Sequence, residues 1–153
     1  MPDHNPNSLA ILIAEDDPDD CQLTLEAFSE CRLLNPVYFV SNGVELLDFL
    51  HRRGAYAPPA KAPRPGLILL DLNMPKKDGR EALAEIKSDA DLRTIPVVVL
   101  TTSNAETDIL QSYKLGGNSF ICKPVRFDAL VEVVKSLGKY WFEIVDLPKQ
   151  EKP

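Results

Sequence analysis

Long hydrophobic runs are missing from this 153-residue chain. None approaches the roughly 18 consecutive apolar residues that a membrane-crossing helix needs. The first residues, Met1-Pro2-Asp3-His4-Asn5-Pro6-Asn7, also lack the basic flank and apolar centre of a signal peptide. A cytoplasmic location with no membrane contact is therefore expected. An excess of basic charge is absent as well: 17 Lys and Arg stand against 23 Asp and Glu, for a net charge of -6. Nucleic-acid binding rests on Lys and Arg contacts to phosphates, so a basic binding domain is excluded and no nucleic-acid partner is expected. Cysteine is scarce. Cys21, Cys31 and Cys122 form an odd, widely spaced set that builds neither a disulfide framework nor a zinc site. They read as three small buried hydrophobes. No internal repeat and no second domain is visible, and the length suits one domain with a sizeable core.

What the chain does have is alternation. Short apolar runs at 9–14, 36–40, 67–71, 96–100 and 118–122 alternate with amphipathic segments, which predicts βαβ units and a parallel sheet. Asp17-Pro18 reads as an N-cap followed by Pro at the first helical position. The helix that follows places Leu23, Ala27, Phe28 and Cys31 on one face. Ser41-Asn42-Gly43 caps a helix with Leu46, Leu47 and Leu50 inward, and a further helix turns Ala82, Leu83 and Ile86 inward. Four prolines between Gly54 and Gly66 forbid a helix or central strand there, so that stretch is expected to be an exposed loop. Ser103 or Asn104 caps a helix carrying Ile109, Leu110 and Tyr113, which ends at Gly116-Gly117. A last helix begins near Arg126, with Phe127, Leu130, Val131, Val134 and Trp141 on its inward stripe. The tally is five strands and five helices.

Four strands end on polar residues: Glu15-Asp16-Asp17, Asp71, Thr101-Thr102 and Lys123. Parallel strands bring all four ends to one edge, where open α/β sheets bind ligands. Adjacent carboxylates repel one another unless a cation offsets them, and hard oxygens suit Mg²⁺. Asp71 follows four apolar residues, so its ionised form needs a partner. An Asp carboxylate can act as a nucleophile toward a phosphoryl group. The roles that follow are Glu15, Asp16 and Asp71 as Mg²⁺ ligands, some of them through water, with the backbone carbonyl of Asn73 completing the set. Asp71 attacks, Lys123 neutralises phosphoryl oxygens, and Thr101 hydrogen-bonds the transferred group. Taken singly, each has a plainer reading: a solvated acidic helix start, a turn-capping Asp, a surface Lys, a strand hydroxyl.

Glu15-Asp16, Asp71-Leu72-Asn73-Met74-Pro75 with Asp78-Gly79, Thr101 and Lys123-Pro124 together resemble a bacterial two-component response-regulator receiver domain, over about residues 9–142. The resemblance implies a flavodoxin-like (βα)5 fold: an open parallel five-stranded sheet of order 2-1-3-4-5 with helices on both faces. It implies Asp71 as phosphoacceptor, Glu15 and Asp16 as the metal-binding pair, Thr101 and Phe120 as switch residues, and Lys123 as the phosphate-contacting lysine. Glu15 stands where Asp is commoner, and Phe120 lacks the hydroxyl of the usual Tyr. The proline-rich 55–65 loop, Asp91-Leu92-Arg93-Thr94-Ile95-Pro96 and the ending Tyr140 to Pro148 are similar to the single-domain regulators that partner phytochrome histidine kinases. The implied protein is not an enzyme beyond Mg²⁺-dependent self-phosphorylation and self-dephosphorylation. Residues 1–8 are expected as a flexible segment, 9–143 as the receiver domain and 144–153 as a C-terminal extension with no output domain. Val133, Tyr140 and Ile144 form a second apolar set on the last helix, expected to make a homodimer, by analogy with those regulators, rather than to fold back on their own domain.

Three other readings compete. A flavodoxin-type electron carrier would place a cofactor phosphate where the carboxylates at 15–17 repel it. A dehalogenase-type phosphatase wants a second Asp where Asn73 stands. A pseudo-receiver, or a relay intermediate without its own output partner, would bind proteins without a dedicated response.

Overall fold

The computed structural model describes residues 9–33, 35–60, 62–71, 74, 79–101, 119–122 and 126–150, with the backbone path alone at 101, 119–122 and 139–150. Its strands are β1 (Ile11–Ala14), β2 (Val37–Val40), β3 (Leu67–Asp71), β4 (Val97–Thr101) and β5 (Ser119–Cys122). They form one sheet in the order β2-β1-β3-β4-β5, and every neighbouring pair is parallel. The described helices are α1 (Pro18–Glu30), α2 (Gly43–His51), α3 (Gly79–Ser88) and α4 (Phe127–Gln150). The helix expected between residues 103 and 116 lies outside the described residues.

Both faces of the sheet are covered, and β1 to β4 alternate between them as the period of two requires. On one face Leu12, Ala14, Ile68, Leu70, Val97 and Val99 pack with Leu46, Leu47 and Phe49 of α2 and Ala82, Leu83 and Ile86 of α3. On the other Ile11, Ile13, Leu67, Leu69 and Val98 pack with Ala27 and Phe28 of α1 and Val134 and Leu137 of α4. Near-continuous apolar strands are what two covered faces demand.

The helix starts follow from local chemistry. Asp17 caps α1, its Oδ1 accepting the Asp19 N–H at 2.9 Å, and Pro18 follows at the first helical position. Asn42 caps α2 by accepting the Glu45 N–H at 2.9 Å, while Glu45 Oε1 accepts the Ser41 N–H at 2.8 Å. Two otherwise orphaned amides are thus satisfied together. The proline-rich stretch is an irregular connection with one 3-10 turn, Gly54–Tyr56, ahead of its first proline. Arg64 ties it to the segment before β4. Its guanidinium meets Asp91 Oδ2 at 3.0 Å, the Asp91 carbonyl at 2.9 Å and Thr94 Oγ1 at 2.9 Å.

Three side chains depart from the expected stripes. Leu23 and Phe127, expected inward, are 39% and 40% exposed. Phe127 opens α4 and Leu23 lies in the second turn of α1. Val133, expected on an outward set, is half-buried against its own core beside Leu130, Val131 and Val134. The apolar arc of α4 is simply wider than the stripe drawn from the sequence. The same helix continues to Gln150, past the boundary expected at residue 143.

Candidate functional site

Register builds the site. Ala14 pairs with Leu70, so the next residues, Glu15 and Asp71, leave adjacent strands at the same level. Asp71 is itself level with Leu100 on its other side. Thr101 is level with Cys122, the residue before Lys123. Phe120 is level with Val99.

The acids converge. One carboxylate oxygen each from Glu15, Asp16 and Asp71 lies within 4.8 Å of the others. Glu15 and Asp71 are buried at 7% exposure each, whereas Asp16 faces solvent. Two buried carboxylates this close repel strongly unless a cation or protons offset them. Three hard oxygen donors, one open to solvent, fit a divalent cation that keeps several waters.

The loop that carries them is held at several points. The Glu15 N–H donates to the Val40 carbonyl at 2.9 Å, extending the β1–β2 ladder by one residue. The Asp17 N–H donates to Glu15 Oε2 at 3.1 Å. The Cys21 thiol donates to the Glu15 carbonyl at 3.7 Å. Beside the cluster, a cleft of about 50 Å³ runs between α1 and α4. Glu15 and Asp71 line it together with the apolar Leu69, Leu100, Leu23 and Phe127. The half-exposed Leu23 and Phe127 thus belong to the cleft's wall, a role the helical stripe alone did not reveal.

Burial holds the Lys87 ammonium below its ordinary range, where it donates to the carbonyls of Arg93 and Ile95 at 3.3 and 3.4 Å. Backbone amides of Leu92 and Asp91 hold the Asp89 carboxyl below its ordinary range. Burial pushes the Tyr56 hydroxyl and the Cys31 thiol up.

The structure therefore brings Glu15, Asp16 and Asp71 together and sets Thr101 on the same edge. Asn73 and Lys123 lie outside the described residues, as do the side chains of Thr101, Phe120, Tyr140 and Ile144. The sequence reading missed the Asp17 amide as a contact to the acid cluster. It also missed Asp20 and Arg126, which line the cleft. Asp20 had a signal in its place in the acidic first turn of α1; a loop amide leaves none.

The family model for the response regulator receiver domain matches residues 11–135. The chain belongs to that family. The receiver domain is 41% identical over 148 residues to response regulator Rcp1 of Synechocystis sp., which spans 97% of this chain and 99% of the relative. Among solved structures it is similar to the phosphorylated cyanobacterial phytochrome response regulator RcpA, at 46% identity and a TM-score of 0.81, covering 88% of this chain and 94% of that one. It is also similar to the Mn²⁺-bound form of Rcp1, at 41% identity and a TM-score of 0.80, covering 88% and 95%. No helix among the described residues is long and apolar enough to cross a membrane.

Proposed function

We propose that this receiver domain accepts a phosphoryl group on Asp71 from a histidine kinase in a Mg²⁺-dependent reaction, and signals by changing what it binds. The observation that carries the reading is the meeting of Glu15, Asp16 and Asp71 oxygens within 4.8 Å at the mouth of a buried strand. A carboxylate oxygen of Asp71 attacks the phosphorus of a phosphohistidine. The new O–P bond forms an acyl phosphate as the P–N bond breaks, and the imidazole nitrogen keeps the electron pair and takes up a proton. When bound, Mg²⁺ supplies positive charge to the phosphoryl oxygens. Glu15, Asp16, Asp71 and the Asn73 carbonyl are the groups proposed to hold it. Lys123 contacts a phosphoryl oxygen and Thr101 donates a hydrogen bond to it after transfer. Phe120 changes burial as Thr101 moves. Such chemistry asks mainly for positioning and charge neutralisation.

The kinase partner is proposed to be a phytochrome, on the likeness to the cyanobacterial phytochrome response regulator RcpA and to Rcp1. The remaining parts of the reading are a complete (βα)5 receiver over residues 9–143, a cytoplasmic setting, and a homodimer formed through the region of Tyr140 and Ile144. Val133, partly buried against its own core, is the third residue proposed for that region.

Phosphotransfer profiling against a panel of autophosphorylated histidine kinases tests the function. Rapid label transfer from phytochrome-linked kinases, absent in Asp71→Asn, is expected. Transfer from no kinase, or equal labelling of the Asp71→Asn chain, contradicts it.

A further inference from the structure

The strand order leaves β2 at one edge of the sheet. The Ile11 N–H donates to the Pro36 carbonyl and the Glu15 N–H to the Val40 carbonyl, both at 2.9 Å. A parallel ladder uses alternate residues of each strand. The backbone groups of Tyr38 and Val40 therefore face β1, and those of Val37 and Phe39 face away from it. Proteins commonly block such an edge with Lys, Pro or a bulge. The strand Val37–Val40 holds neither Lys nor Pro, and its register with β1 is unbroken.

A hollow flanks this edge on each face of the sheet. On the α1 face, about 570 Å³ opens among Val37, Leu25, Phe28, Leu33 and Arg32. On the α2 face, about 400 Å³ opens among Tyr38, Arg52, Ala60, Ala62 and Pro63. The first hollow is largely apolar, and Leu25 stands 39% exposed beside it. Each hollow holds one guanidinium. Arg52 is fixed at the rim of the second, its Nε donating to the Ala62 carbonyl at 3.0 Å. Both arginines follow a helix and carry a positive φ, 59° for Arg32 and 55° for Arg52. Glycine commonly fills such a position, so each side chain is kept against some backbone strain. Among the described residues neither is in an ion pair, whereas Arg53 pairs with Asp48 at 2.8 Å.

We infer that the outer edge of β2 docks an extended segment of a partner protein whose side chains alternate between apolar and acidic. The segment's backbone pairs with the outward groups of Val37 and Phe39 and adds a strand to the sheet. Its side chains then point alternately to the two faces, where the two hollows receive them. Apolar side chains enter the hollow beside Leu25 and Leu33. Carboxylates on the other face meet Arg52, and Arg32 takes an acidic flank. A second copy of this chain fits the edge poorly. Its own β2 offers Val, Tyr, Phe and Val with no acid, and it would set its Arg32 and Arg52 against these two. The inference does not depend on Asp71 accepting a phosphoryl group.

A capped hexapeptide alternating Val and Glu, titrated into the isotope-labelled full chain and followed by NMR, tests this. Saturable shifts centred on the amides of Val37 and Phe39 are expected, with affinity about tenfold weaker in Arg52→Glu. The same peptide with Lys in place of Glu is expected to leave those amides unmoved. Two further peptides, N-methylated at every Val or at every Glu, probe the backbone without altering the protein. Alternate residues of a strand face its neighbour, so one of the two should lose binding and the other keep it. Melting curves show whether Arg52→Glu is folded, and the methylated peptides decide the matter if it is not. No shift up to millimolar peptide overturns the inference, as do shifts centred away from β2. Equal binding of the Lys peptide, of both methylated peptides, or by a folded Arg52→Glu chain overturns it too. Sedimentation of the free chain as a dimer with the Val37 and Phe39 amides protected would give the edge to a second copy, against the inference.

Discussion

Asp89 shows how single carboxylates outside the acid cluster shape behaviour. Its Oδ1 accepts the Asp91 N–H at 2.8 Å and the Leu92 N–H at 3.0 Å, and so opens the short turn Leu92–Thr94. Those amides, first that of Leu92, hold its pKa below the ordinary carboxylate range. A carboxyl whose pKa is lower folded than unfolded adds stability above the unfolded pKa. That stability drains away as pH falls through the folded value. Asp89→Asn keeps an oxygen acceptor but loses the charge. Its melting temperature should therefore lie below wild type at neutral pH, and the gap should close on acidification. Thermal melts across the acid range check the direction; a gap that widens at low pH contradicts it. Glu15 works at the same scale: its carboxylate accepts the Asp17 N–H at 3.1 Å and shares the acid cluster with Asp16 and Asp71.

At the scale of elements, caps and register carry the site to its place. The α2 start uses a reciprocal pair, Asn42 accepting from Glu45 and Glu45 accepting from Ser41. Replacing an N-cap by Ala costs about 1 kcal/mol. For a chain of this size Asn42→Ala should lower the melting temperature by roughly 2–4 °C. Calorimetry reads the shift, and an unchanged melting point would mean water replaces the cap at no loss. Strands and caps were legible in the sequence because they are local: apolar runs bounded by turn residues, Asp17-Pro18, Asn42-Gly43. The meeting of Glu15, Asp16 and Asp71 was legible for a different reason, since parallel strands in register necessarily bring their ends to one edge. What escaped was set by tertiary packing. Leu23 and Phe127 carry the right spacing for the core but are exposed and line a cleft instead. Val133 reads as outward on a narrow stripe, yet the core beneath α4 is broad enough to take it. Arg64 gives no sign in sequence that it fastens the proline-rich loop to Asp91 and Thr94, because that contact joins residues far apart along the chain.

For the whole molecule, metal binding and assembly should be visible in bulk measurements. An ion that binds the folded chain alone stabilises it by RT ln(1 + [L]/Kd), about 2.7 kcal/mol at a hundredfold excess over Kd. Saturating MgCl₂ should raise the melting temperature of the wild type, and the rise should shrink in Asp16→Asn. A rise equal in both would show that Mg²⁺ acts elsewhere. The proposed dimer makes a separate claim. Tyr140→Asp should shift sedimentation toward the monomer at micromolar concentration. Unchanged sedimentation would remove that region from the interface and leave the phosphoacceptor site untouched.

The central claim, that Asp71 takes the phosphoryl group, meets its most direct test in the intact mass of the chain after exposure to a small-molecule phosphodonor. With Mg²⁺ present, one phosphoryl increment should appear, fail to form when the metal is chelated beforehand, and be missing from Asp71→Asn. A single increment of the same yield in Asp71→Asn, or in the chelated wild type, would contradict it.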